Sequence, residues 1–122
     1  MPLDQTLPND LRAPREARLA ITQFLTRAGL PQLIDDAQLL ASELVTNAVQ
    51  HACGPIKVRA SLTDGFVRIE VSDAAAASAP APRHAEPTDE GGRGMELVEK
   101  LSVRWGWKVT PESKVVWLDL RV

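Results

Sequence analysis

Apolar residues recur at helical spacing in two stretches of the N-terminal half. Ala17, Leu19, Ala20, Ile21, Phe24, Leu25 and Ala28 predict one helix, with Pro14 in its first turn and Gly29 at its end. After Pro31 a second helical pattern runs from Leu33 to Ala52 and stops at Gly54-Pro55. Its apolar arc is Ala37, Leu40, Ala41, Leu44, Val45, Ala48, Val49 and Ala52. From there the period changes to two. Ile56–Leu62 and Phe66–Asp73 alternate around Thr63-Asp64-Gly65, a strong hairpin signal. Ser102–Val109 and Val115–Val122 predict a second strand pair around Pro111-Glu112-Ser113. Residues 1–11 read as an irregular segment in which Leu3–Leu7 can add a short edge strand. The expected architecture is an α/β two-layer sandwich: a mixed, mostly antiparallel sheet covered on one face by helices.

One stretch breaks the pattern. Ala74–Glu90 is rich in alanine and proline, has no usable periodicity, and joins a strand to a glycine cluster. Structureless connections this long are uncommon inside compact domains and are usually lids or disordered segments. Neither flanking half could bury a core alone, so residues 74–94 read as a lid within a single domain spanning 1–122.

Composition narrows the picture modestly. A chain of 122 residues with 44% hydrophobic and 25% charged residues is an ordinary globular domain. A net charge of −2 gives no electrostatic footprint for nucleic acid, and along the sequence basic residues cluster no further than Lys57/Arg59. The single cysteine, Cys53, excludes an internal disulfide framework and suits a reducing compartment. No apolar run approaches the roughly 18 residues of a membrane span, and the N-terminus does not read as a signal peptide. The expectation is a cytoplasmic protein bound to neither membrane nor nucleic acid.

Candidate chemistry sits at three places. Glu43, Asn47 and His51 are four residues apart in SELVTNAVQHA, a stripe along the border of the second helix's apolar arc. A carboxylate and a carboxamide there are costly to desolvate without a ligand. The carboxamide suits a hard metal and the carboxylate can take a proton. By itself the stripe reads equally as a solvated edge with an i,i+4 pair. Asp73 has the parity of Val67, Ile69 and Val71, so it points to the helix-covered side, where it can read an amino group or cap a turn. Gly91-Gly92-Arg93-Gly94 before MELVEKL suits phosphate held at a helix N-terminus, or a plain hinge. Trp105, Trp107 and Trp117 read as sheet packing, and His84 as solvated.

The conjunction SELVTNAVQHA…IEVSD…GGRGMELVEKL…VVWLDL resembles the gyrase, heat-shock chaperone, histidine-kinase and MutL (GHKL) ATPase superfamily, with its Bergerat-type ATP-binding fold. Within it, the compact form is similar to the anti-sigma-factor serine kinases and their actinobacterial relatives. The resemblance covers roughly residues 12–122. It implies ATP and magnesium as cofactors, with Glu43 as catalytic base and Asn47 as metal ligand. Asp73 would read adenine. Gly92, Arg93, Gly94 and Met95 would hold the nucleotide's phosphate end, and His51 closes the helix motif in a structural role. The implied activity is a protein serine/threonine kinase that phosphorylates an anti-sigma-factor antagonist and regulates transcription through a sigma factor. A homodimer belongs to the same expectation. Two positions depart from the family's pattern: Ala75 replaces the first glycine after Asp73, and Val115 stands where many relatives have an adenine-binding threonine. Those departures suit a rival reading, a non-catalytic interaction module of the same fold. A third reading is a standalone ATP hydrolase.

Overall fold

The computed structural model describes residues 2–51, 54–74 and 92–122, with the side chains of 92–95 excepted. Five strands form one sheet, β1 Leu3–Leu7, β2 Ile56–Thr63, β3 Phe66–Asp73, β4 Arg104–Val109 and β5 Lys114–Arg121, in the order β1-β2-β3-β5-β4. Among the described residues three helices cover it: α1 Ala13–Arg27, α2 Ile34–His51 and α3 Gly92–Leu101. The N-terminal segment is thus more regular than expected, because Leu3–Leu7 pairs in full with Ile56–Ala60.

All the ladders among the described residues are antiparallel. A mixed sheet is expected where one helix joins two strands, and the α3 crossover does make β3 and β4 run the same way. Each, however, pairs with β5, which lies between them, so the two parallel strands never form a ladder. The α1–α2 pair lies between β1 and β2 in the chain, and those two strands pair antiparallel.

Local chemistry sets the element ends. The β2–β3 hairpin turns on Asp64 and Gly65, at φ of 39° and 85°, the two left-handed positions that an Asp-Gly turn supplies. Helix α1 ends in a Schellman arrangement: Gly29 takes φ of 73° and the Leu30 N–H donates to the Leu25 carbonyl at 2.9 Å. Pro31–Leu33 form a single 3₁₀ turn ahead of α2, which therefore starts one residue later than the apolar pattern suggests. Between β4 and β5 the Thr110 hydroxyl accepts from the Ser113 N–H at 3.0 Å.

The core lies between the helices and one sheet face. Ile56, Val58, Val67, Ile69, Val71, Leu118 and Leu120 meet Ile21, Leu25, Leu40, Leu44 and Val45, and all are buried. Each such side chain contributes roughly 1.5–3 kcal/mol when taken fully from water. Leu19, grouped with the apolar residues of α1, is exposed, because two residues along a helix from Ala17 or Ile21 points to the far side. Trp105 packs on the core, whereas Trp107 and Val109 remain exposed on β4, an edge strand with no neighbour beyond it.

Candidate functional site

The helices lie across the sheet in order. Helix α1 packs on β1 and β2, α2 on β2 and β3, and α3 on α2 and β4. Helix α2 is therefore flanked by α1 on one side and α3 on the other. Its α1 flank is identified by two hydrogen bonds. Gln38 Nε2 donates to Thr22 Oγ1 at 2.6 Å, and Arg18 Nη1 donates to Ser42 Oγ at 3.1 Å. Successive residues turn by about 100°, so Glu43 and Asn47 fall on the opposite border of the buried arc, the α3 flank. Both are half-buried, between the fully buried Leu40 and Leu44 and solvent. The polar stripe is therefore a seam next to α3, not an outer edge.

The other candidates gather at one end of the molecule. Asp73 closes β3, half-buried on the helix side, paired with Ile56 at the start of β2 and Lys114 at the start of β5. Helix α2 ends at His51 just before β2 begins, which puts its C-terminal turn at this same end. Gly54 sits against Ala74: a Cβ there would lie 3.6 Å from the Ala74 Cβ. The Asn9 amide holds the segment by donating to the Gly54 carbonyl at 2.8 Å. Because α3 leads from the β3 end toward the start of β4, its first turn, with Gly92, Arg93, Gly94 and Met95, also opens there. The backbone of that turn is helical, and its side chains lie outside the described residues. Ala75, Cys53, His84 and residues 75–91 of the lid expected over 74–94 lie outside them as well. His51 is exposed at the end of α2.

The sequence matches the histidine kinase-like ATPase domain over residues 7–120. The chain belongs to that family. Among solved structures, this histidine kinase-like ATPase domain is similar to the RsbU and RsbW domains of Rv1364c from Mycobacterium tuberculosis. The identity is 26% and the TM-score 0.76, with 99% of this chain covered and 32% of that one. The histidine kinase domain of the blue-light activated histidine kinase EL346 from Erythrobacter litoralis shares the fold at 23% identity and a TM-score of 0.54. That likeness covers 75% of this chain and 45% of the other. The domain thus spans less than half of either structure. A search of the curated proteins finds no match.

The family's two-layer fold is the one observed, and ATP binding is what the family implies for it. One expectation changes on the page. Val115 pairs with Ser72 and lies on the far face of the sheet from Asp73, so it has no bearing on a ligand beside Asp73. The β5 residue on Asp73's face is Lys114, its cross-strand partner. Side chains alternate between the faces of a strand, so a shift of one residue along β5 exchanges them. Among the described residues no cluster of three or more His, Cys, Asp or Glu could hold a metal by itself. No described helix is long and apolar enough to cross a membrane.

Proposed function

We propose that this domain is a magnesium- and ATP-dependent protein serine/threonine kinase of the anti-sigma-factor type. Its substrate would be a serine on a small anti-sigma-factor antagonist, and its regulatory output a sigma factor. The observation that carries the reading is the convergence of Glu43 and Asn47 on the α3 flank of α2 with Asp73 and the first turn of α3 at the same end of the sheet. The similarity to a structure containing an RsbW domain supports the choice of substrate class.

The donor set suits magnesium as a guest of the nucleotide. Magnesium keeps several waters and is commonly held by one or two protein oxygens plus substrate phosphates, so one carboxamide is enough. Asn47 would supply that oxygen. The ion, once bound, neutralises charge on the phosphates. Asp73 accepts a hydrogen bond from an exocyclic amine and so prefers adenine to guanine at that position. The N–H groups of the first α3 turn would donate to phosphate oxygens. Glu43, one turn from Asn47, accepts the serine proton as the serine oxygen bonds to the γ-phosphorus and ADP leaves. Protein dipoles and position supply most of the catalysis in this chemistry.

A non-catalytic ATP-binding regulator is the second reading, favoured by Ala75 in place of the family's glycine. Phosphate transfer to a purified antagonist from labelled ATP separates the two. Glu43→Gln keeps the shape and loses the proton acceptor, so transfer falls by about 10²–10⁴-fold while magnesium–ATP binding stays within a few-fold. Transfer that survives the substitution contradicts the role given to Glu43. A parent protein that binds ATP and antagonist but never transfers phosphate establishes the second reading.

A further inference from the structure

Among the described residues no element covers the face of the sheet opposite the helices, which is built differently from a plain solvated surface. Its cations are Lys57, Arg59, Arg68, Arg104, Lys108 and Arg121, against the three carboxylates Asp4, Glu70 and Asp119. Two of those carboxylates are already paired: Asp4 lies 3.5 Å from Arg59, and Asp119 is held by two arginines. Asp119 is 1% exposed and lies beneath two arginines: Arg68 donates to it at 2.8 and 3.0 Å and Arg104 at 2.7 Å. The arrangement holds both guanidinium groups in place on the surface. A chain of net charge −2 thus carries a face with three more cations than carboxylates.

Aromatic rings lie among these cations. The Arg68 guanidinium sits 4.1 Å from the Trp117 ring centroid, and Arg104 and Arg121 sit 4.7 and 5.3 Å from that of Phe66. The Trp117 ring lies over Gly106, where even a Cβ would come within 2.8 Å of it. Only glycine permits that close approach, so the ring lies across β4. Toward the β1 edge the face opens into a groove of about 310 Å³, where Arg59 and Arg68 stand beside the carboxylates Asp4 and Glu70. Pre-set arginines beside flat aromatic surface are the composition of a protein-recognition centre.

We propose that this open sheet face is a docking surface for a protein partner presenting an acidic segment with interspersed apolar side chains. Carboxylates would pair with Arg59, Arg68, Arg104 and Arg121, and an apolar side chain would rest on Trp117. Charge decides among occupants. A second copy docking by the same face would set its excess cations against themselves, which is unfavourable. The surface lies across the sheet from Glu43, Asn47 and Asp73, so it can be occupied independently of nucleotide.

The test measures fluorescence anisotropy of the full chain with a short labelled peptide alternating glutamate and leucine. Its controls are the same peptide with lysine for glutamate, and a labelled single-stranded oligonucleotide. The acidic peptide is expected to bind, to weaken several-fold as salt is raised, and to exceed both controls. Lys108→Glu with Arg121→Glu alters two exposed side chains that do not hold Asp119, so the fold survives. That double variant should bind the acidic peptide about tenfold or more weakly, with magnesium–ATP binding unchanged. Trp117→Ala, with folding checked by circular dichroism, should also weaken it. Equal binding of acidic and basic peptides, or an unaffected double variant, overturns the proposal. Tighter binding of the oligonucleotide overturns it in favour of nucleic acid. Concentration-dependent self-association that the double variant abolishes overturns it in favour of a second copy.

Discussion

The two faces of the sheet are made by the same five strands, residue by alternate residue, yet they follow opposite rules. On the helix side Ile69 sits between Ala60 and Leu118 with no polar atom to satisfy, and stability there is a matter of volume and area. One residue earlier, on the far side, Arg68 reaches Asp119 and Trp117, and the packing unit is a charged hydrogen bond beside a ring. The helix side also ends in polar residues, Asp73 and Lys114, where the sheet runs out from under its cover. The lesson is that period-two alternation separates two kinds of chemistry within one element. A core that needs no specificity leaves its polar rim open to ligand chemistry, and the reverse side open to recognition.

The sharpest way to break the comparison is by paired substitutions on β3. Ile69→Ala removes a fully buried side chain from the central strand and should cost about 2–5 kcal/mol in urea unfolding. Glu70→Ala, its neighbour on the open face, should stay within about 0.5 kcal/mol. Similar costs for both would mean that the open face is covered and that the two sides do not differ.

Asp119 is where the faces meet, a buried carboxylate on the outer side. Asp119→Asn should cost about 1–3 kcal/mol at neutral pH, because three charge-assisted hydrogen bonds are weakened or lost while the half-exposed arginines recover water. The hydrogen bonds from Arg68 and Arg104, with their charges, hold the Asp119 carboxyl below its ordinary pKa. The unfolded chain therefore binds this proton more readily than the folded one, and acid favours unfolding. The contribution is complete above the ordinary carboxylate value and is lost as pH falls through the lowered folded value. The gap between parent and variant should accordingly close as denaturation is followed from pH 7 into the acid limb. A gap independent of pH would show that the ion pairs do not couple to folding.

A smaller effect tests the aromatic part. Gly106→Ala forces the Trp117 ring to move and should cost about 1–2 kcal/mol, with a shift in tryptophan emission. An unchanged spectrum and stability would mean that the ring does not lie over Gly106.

Much of this was legible in the chain. The α2 arc, the Asp-Gly hairpin and the parity of Asp73 follow from period and turn chemistry, which are local. The Glu43 and Asn47 stripe was legible as a border of the buried arc. Its neighbour was not, because only the order of helices across the sheet shows that this border faces α3. Asp119 escaped notice for a related reason. In VVWLDLRV it looks like an ordinary outward polar residue, and its burial depends on cations brought from β3 and β4 by register. The same dependence explains Val115: its family position was read by sequence, while its face is set by pairing with Ser72.

The central claim is that the α3 flank of α2 binds a metal-linked nucleotide, and calorimetric titration of ATP tests it most directly. Parent and Asn47→Ala are each titrated in excess magnesium and in EDTA. The account predicts that the parent binds with magnesium, that Asn47→Ala binds markedly more weakly in magnesium, and that the two differ little in EDTA. Equal binding of magnesium–ATP by parent and variant would contradict it.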